Sequence, residues 1–233
     1  MVTGEASYLP KCIRMRIHFG KYEASPVTIT PTRRLMRQDE RYEQVLRAAA
    51  AAFARGGFAA TSMEDVAAEA GITRLIVYRH FDSKEDLYRA VLERAAERLR
   101  DEFIQGMEHV PGRRGYIVGS MLSVARENPD GFRLLTGHSL REARFASYYD
   151  GWWAKAVEVA DRMVGTTIAD PVIRAWADRT IVAYLVEAVQ AWLHVGEAGR
   201  DPEFIEQATE GLIAMYVAWA TEPPTMGPAQ PER

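Results

Sequence analysis

Apolar residues recur at intervals of three and four along most of the chain, a spacing that is typical of amphipathic helices. From about Asp39 the stretch RYEQVLRAAAAAFARGG follows this spacing, and it ends at Gly56 and Gly57. A long helix is predicted after Ser83. Its apolar side consists of Leu87, Val91, Ala95, Leu99 and Phe103. We find no alternation typical of strands and no internal repeat, so the pattern predicts an all-α chain with a small front bundle and a larger rear bundle.

Two short helices are predicted between these segments. Ser62, with Asp65 three positions later, resembles a capping box in which Asp replaces the usual Glu. Gly71 ends the first of these helices, because glycine takes a left-handed turn without a clash at Cβ. The second helix starts at Thr73, a favourable N-cap residue. This is the pattern of a helix-turn-helix, in which one helix supports a second that can enter the DNA major groove.

Three consecutive apolar residues, Leu75, Ile76 and Val77, lie in the second short helix. Successive residues of a helix point about 100° apart, so only one of the three can face the core. If Val77 faces the core, Phe81 follows it one turn later, whereas Leu75 and Arg79 point away and Ile76 lies on the flank. The pattern therefore predicts that an apolar pair is presented outward beside arginines. Cover by the N-terminal arm or by a neighbouring molecule is the alternative.

The chain after about residue 112 is also predicted to be helical. Its predicted breaks fall near Pro111-Gly112, Pro129-Asp130-Gly131, Asp170-Pro171, 196–202 and Pro223-Pro224. Asp201 is predicted to cap the last helix, with Pro202 at its first position. The segments 179–195 and 203–219 have wide apolar faces, which favours an interface.

Composition and charge narrow the class of protein. The chain has 233 residues, 48% of them hydrophobic and 26% charged, which is ordinary for a globular protein of one or two domains. Its single cysteine, Cys12, excludes an intramolecular disulfide and fits a reducing compartment. We find no secretory signal and no membrane-length apolar run, so we expect a cytoplasmic protein with no membrane partner. The net charge is −3, but residues 1–90 carry +3 and residues 91–233 carry −6, which gives a mildly basic front part.

Residues 1–36 differ from the rest, with six basic residues and with prolines at 26 and 31 that oppose a helix. We interpret them as a basic, flexible N-terminal extension. It could touch DNA phosphates or a minor groove, or be an unstructured tail, or result from a start codon placed upstream of a true start at Met36.

The sequence contains no visible nucleophile–base set, phosphate loop, metal pair or dinucleotide fingerprint. We therefore predict no catalytic residues, no cofactor and no metal. A helical small-molecule enzyme and a non-specific DNA-coating protein are the alternatives to a regulator. The acidic rear part argues against strong non-specific binding to DNA.

Residues 41–92 resemble the DNA-binding domain of the TetR family of bacterial transcriptional regulators (TetR/AcrR type). The resemblance is carried by AAAAAFARGGFAATSMEDVAAEAGIT and VYRHFDSKEDLYRAVL. It implies a three-helix DNA-binding domain over residues 37–97, a larger helical effector-binding and dimerisation domain over residues 98–222, and a tail over residues 223–233. It also implies a homodimer, more often a repressor, that a small-molecule effector releases from an inverted-repeat operator in double-stranded DNA.

The resemblance implies particular DNA-binding residues. Tyr78 and Lys84 match phosphate-binding positions, Ser62 and Thr73 match capping positions that often touch the DNA backbone, and Arg74, Leu75, Ile76 and Arg79 match positions facing the groove. We add His80 to this surface, as a surface or capping residue rather than a metal ligand. Leu75 and Ile76 depart from the small residues usual in the family, which leaves the operator sequence open.

The rear domain supplies candidates for an effector pocket, although most buried aromatic residues are ordinary core residues. The candidates are His138, Arg141, Tyr149, Trp152, Trp153, Trp176 and Tyr184. We expect Trp152 or Trp153 near the pocket, because an exposed aromatic pair is costly without a purpose. By resemblance, segments 179–195 and 203–219 form a four-helix dimer interface. We expect replacement of Leu185 and Val189 by Glu to give a soluble monomer or an unfolded chain, without specific DNA binding.

Overall fold

Helices form all of the regular secondary structure in the part of the chain that the computed structural model describes, residues 33–109, 114–137, 142–164 and 167–220. The helices are α1 (Arg33–Ala60), α2 (Met63–Glu69), α3 (Arg74–Tyr78), α4 (Lys84–His109), α5 (Tyr116–Glu127), α6 (Pro129–Thr136), α7 (Ala146–Val164), α8 (Pro171–Val195) and α9 (Asp201–Trp219). Short 3-10 turns at Ala143–Phe145 and Ala198–Arg200 precede α7 and α9. The predicted all-α class is confirmed.

The ends of α1 differ from the prediction. The helix begins at Arg33, inside the segment that we assigned to the N-terminal extension, and residues 1–32 lie outside the described part. Gly57 breaks the helix with φ 75° and ψ 165°, as the glycine pair predicted. Phe58 follows this kink and turns back into the core, where it is 5% exposed.

The front core is shared between the two predicted domains. Val45 and Phe53 of α1, Val66 of α2 and Leu87 of α4 are fully buried in one cluster. Leu134 and Leu135 of α6 and Phe145 belong to the same cluster. Because α6 packs against both α1 and α4, the position of the front helices depends on the rear of the chain.

The rear core lies between α5, α7, α8 and α9. Its fully or nearly fully buried residues include Val118, Ile168, Ala177, Val182 and Leu185. In this core α7 packs against α8, and α9 packs against both α5 and α8. None of the described helices is both long and apolar enough to cross a membrane.

Polar caps explain two of the predicted breaks. The Asp170 carboxylate accepts hydrogen bonds from the backbone N–H groups of Val172 and Ile173 at 2.8 and 3.0 Å, before α8. Asn128 caps α6 by accepting from Gly131 N at 2.9 Å. The prediction for α9 is wrong by one residue: Arg200 is the N-cap, and Asp201 is the first helical residue.

Candidate nucleic-acid interface

The helix-turn-helix forms as the sequence predicted. The Ser62 hydroxyl accepts from Asp65 N at 3.1 Å, and the Asp65 carboxylate accepts from Ser62 N at 2.8 Å, which completes the capping box. The Ser62 hydroxyl also donates to that carboxylate, and these hydrogen bonds lower the pKa of Asp65. Gly71 takes φ 63° at the end of α2, and Ile72 N donates to Ala67 O at 3.0 Å. This turn fixes the angle at which α3 leaves α2.

The inner face of the motif anchors α3 in the front core. Val77 is fully buried and Phe81 is 5% exposed, so both predicted core residues are confirmed. Gln44 of α1 donates to Ala70 O at 2.7 Å and so fixes the end of α2. Spacing along the chain could not predict this contact, since the two residues are 26 positions apart.

The outer face of α3 is open to solvent. Leu75 is 64% exposed and Tyr78 is 38% exposed, while Thr73, Arg74 and Arg79 are also exposed. Leu75 and Arg79 therefore point outward as predicted. Ile76 is only half-buried and lies on the flank, and Thr73 holds the N-cap position without a side-chain hydrogen bond to the helix.

Arg74 is held by two neighbours on this surface. Its guanidinium is ion-paired with the Glu64 carboxylate of α2 and donates to the Tyr78 hydroxyl at 3.2 Å. It also lies 4.9 Å from the centre of the Tyr78 ring. The hydrogen bond that Arg74 donates to Tyr78 raises the pKa of Arg74. Our sequence reasoning missed Glu64, for which the only signal was an acidic residue in the first turn of α2.

Lys84 and His80, two further predicted DNA-binding residues, also have structural partners. The Lys84 ammonium donates to Phe58 O at 2.9 Å and Ala59 O at 3.3 Å, and it lies 4.6 Å from the centre of the Phe58 ring. It therefore joins the start of α4 to the carbonyl end of α1. His80 is half-buried and packs edge-on against Tyr42, with ring centres 6.0 Å apart. Their roles in DNA binding stay predictions.

Comparison with known proteins agrees with this geometry. Residues 45–91, which span α2, α3 and most of the front core, match the model of the family described as bacterial regulatory proteins, tetR family. This part of the chain is therefore a DNA-binding domain of the TetR type.

The relatives that this chain matches differ in their named roles. It is 32% identical to the HTH-type transcriptional activator FasR of Mycolicibacterium smegmatis, over 42% of this chain and 46% of FasR. It is 31% identical to the nucleoid occlusion factor SlmA of Pasteurella multocida, over 36% of this chain and 47% of SlmA. The chain thus spans about half the length of these curated relatives. A TetR-like regulator from Rhodococcus sp. RHA1 shares the fold, with a TM-score of 0.60 and 17% identity over 76% of this chain and 93% of that one.

The effector candidates within the described residues lie on two helices, α7 and α8. On α7, Tyr149 stacks on Trp153 with ring centres 5.6 Å apart, and Trp152 packs against both the front and the rear core. On α8, Trp176 meets Trp219 of α9 at 4.6 Å, and the Tyr184 hydroxyl donates to Ala208 O at 3.1 Å. His138 and Arg141 lie outside the described residues.

The expectation of an exposed aromatic pair on α7 is wrong. Trp152 and Trp153 are both half-buried, and both pack against the rear core. A small cavity of about 30 Å³ lies elsewhere, where α1 and α4 meet α5 and α6. Glu43, Arg94, Arg98 and Glu127 line it, and no effector candidate does. Its volume suits about one water molecule rather than an organic ligand.

The apolar faces of α8 and α9 divide into buried and exposed parts. Leu185 is 6% exposed and Val189 is fully buried, so both belong to the core of one protomer. Of the two outcomes expected for their replacement by Glu, this burial favours the unfolded chain. Other apolar residues of these helices are exposed: Val172, Ile173, Trp176, Val195, Ile213 and Val217. Three of these residues precede position 179, so the exposed apolar face reaches further towards the start of α8 than the predicted range 179–195.

Proposed function

We propose that this protein is a sequence-specific DNA-binding transcriptional regulator that reads an inverted repeat with α3. The observation that carries this proposal is the division of α3 into two faces. Its inner face is locked in the core by Val77, and its outer face exposes Leu75 beside Arg74 and Arg79. Such a helix can enter a major groove without any rearrangement of the front core.

The chemistry of the outer face suits base reading as well as phosphate binding. Arginine recognises guanine through O6 and N7, and an apolar side chain contacts the C5-methyl group of thymine. Leu75 lies between the two arginines in the chain and is the most exposed apolar residue of the motif. We therefore expect a thymine beside a position read by Arg74 or Arg79 in each half-site.

The protein is proposed to act as a homodimer. Val172, Trp176, Ile213 and Val217 form an apolar surface on α8 and α9 that a second copy can cover. Two copies of α3 must lie roughly 34–36 Å apart to read successive major-groove faces of one DNA side. Release by a small-molecule effector is the expectation that the family supplies, and the effector is unidentified.

A footprint on genomic DNA tests the proposal. The purified protein is incubated with fragments of its own genome, and the bound fragments are sequenced and footprinted. We expect protection of an inverted repeat, and a reporter gene downstream of that site then shows whether the protein represses or activates. Equal binding to all fragments would instead indicate a DNA-coating protein, and no binding would contradict both functions.

The similarity to SlmA supports a second candidate, a DNA-bound factor in nucleoid occlusion. The two candidates share the DNA-reading helix and differ in where the sites lie. A regulator is expected at a few sites next to promoters, whereas a nucleoid occlusion factor is expected at sites spread over the chromosome and without an effect on the reporter. The same sequencing experiment separates them.

A further inference from the structure

We propose that Glu64 determines the DNA specificity of α3 by competing with DNA phosphates for Arg74. The inference rests on the proposed function, since it assigns a role within the same DNA-reading surface. Arg74 is the first residue of α3, and its guanidinium is ion-paired with Glu64 of the supporting helix α2. The recognition helix therefore presents one of its arginines already bound to an internal carboxylate.

The surroundings of this ion pair leave it accessible to DNA. The side chains of Arg74 and Glu64 are 58% and 53% exposed, so a phosphate or a base edge can reach the guanidinium. Tyr78 holds the same guanidinium from the other side, through a hydrogen bond of 3.2 Å and a ring contact of 4.9 Å. Tyr78 fixes the arginine along α3, and Glu64 draws it back towards α2.

The competition affects the two kinds of DNA complex differently. On a random sequence Arg74 can gain one exposed phosphate contact, which is comparable to the surface ion pair that it must leave. On the correct half-site it can gain a two-pronged contact to guanine, which exceeds that ion pair. Arg74 therefore stays bound to Glu64 in complexes with random DNA and binds the DNA only at the specific half-site.

Glu69 provides a matched control on the same helix. It lies at the end of α2 and is ion-paired with Arg55 of α1 at 2.5 Å, away from α3. Glu64→Gln and Glu69→Gln each remove one negative charge from α2. Any general loss of repulsion between α2 and the DNA appears in both variants, while release of Arg74 appears only in the first.

The experiment measures dissociation constants by fluorescence anisotropy on the selected operator and on a random duplex, over a range of salt concentrations. The proteins are wild type, Glu64→Gln, Glu69→Gln, Arg74→Ala and the double variant Glu64→Gln/Arg74→Ala, each checked for folding by circular dichroism. We expect Glu64→Gln to bind the random duplex about two- to fivefold more tightly than Glu69→Gln does, which is the scale of one surface ion pair. The salt dependence of its affinity for random DNA should steepen by the amount expected for about one additional phosphate contact. Its affinity for the operator should change less.

Two results would overturn the role of Glu64. One is equal behaviour of Glu64→Gln and Glu69→Gln on the random duplex. The other is an effect of Glu64→Gln that persists when Arg74 is already alanine. Both leave the operator preference of the wild type intact, so they are distinguishable from failure of the proposed function, in which the wild type shows no preference for any duplex and both proposals fall.

Discussion

Truncation of Leu75 to alanine separates DNA reading from folding. Leu75 is 64% exposed on the outer face of α3 and makes little contribution to the front core. Leu75→Ala is therefore expected to change the free energy of unfolding by less than about 0.5 kcal/mol, as for other surface substitutions. Binding to the operator should weaken, because the leucine side chain is buried only when α3 occupies the groove.

The size of the effect follows from the exposed fraction. Full burial of a leucine side chain is worth about 1.5–3 kcal/mol, and roughly two-thirds of this side chain is still available for burial against DNA. The expected loss is then about 1–2 kcal/mol, or about 5- to 30-fold in the dissociation constant. Replacing the contacted thymine by uracil removes one methyl group, which should cost wild type about fourfold and Leu75→Ala nothing.

Fluorescence anisotropy with operator duplexes that carry single thymine-to-uracil changes measures these losses. Ile76→Ala is the matched truncation, and because Ile76 is half-buried we expect it to lower stability more and operator affinity less than Leu75→Ala. The reasoning is refuted if uracil at every half-site position leaves wild-type affinity unchanged, or if Leu75→Ala binds the operator as tightly as wild type.

Three further predictions test the fold and the assembly. Burial and the nearby Asp161 raise the pKa of Asp178, so the folded state retains this proton to higher pH and loses stability as the pH rises through the raised value. Asp178→Asn should therefore raise the free energy of unfolding by about 1 kcal/mol at pH 7. This gain should fade towards pH 4, and an equal change at both pH values would contradict the reasoning. Lys84→Met should lower the free energy of unfolding in urea by about 1–3 kcal/mol, because two carbonyls of α1 lose a charged donor; unchanged stability would leave Lys84 with a role in DNA binding alone. Val217→Glu should give a monomer in a sedimentation experiment, whereas the control Val195→Glu should remain a dimer. Val195 lies at the far end of α8 and about 140° round the helix from Val172, outside the proposed interface. Two monomers or two dimers would refute the proposed interface.

Local signals predicted the DNA-reading motif well. Ser62 with Asp65, Gly71, and the pair Val77 and Phe81 each act within one or two turns of their own helix, so their spacing alone specifies the cap, the turn and the buried face. The outward position of Leu75 follows from the same helical period. These features needed no knowledge of which helices meet in the folded chain.

The interface and effector predictions stay open for a common physical reason. Apolar periodicity shows that a helix has a face to bury, but it does not show whether that face meets another helix of the same chain or a second copy. Leu185 and Val189 are covered by helices of their own protomer, and Trp152 is covered where the front and rear cores meet. The partners of Lys84 and Arg74 were equally hidden, since they depend on how α1 and α2 approach α4 and α3.

Selection of preferred duplexes from a random pool tests the central claim most directly, when wild type and Leu75→Ala/Arg79→Ala are compared under the same conditions. If α3 reads the DNA, wild type should enrich an inverted repeat whose half-site centres lie about one helical turn, or a whole number of turns, apart. The variant should lose its preference at the thymine and guanine positions of each half-site and retain the spacing, because the dimer is unchanged. Recovery of the same preferred sequence by both proteins, or of no preferred sequence by wild type, would contradict the assignment of α3 as the DNA-reading helix.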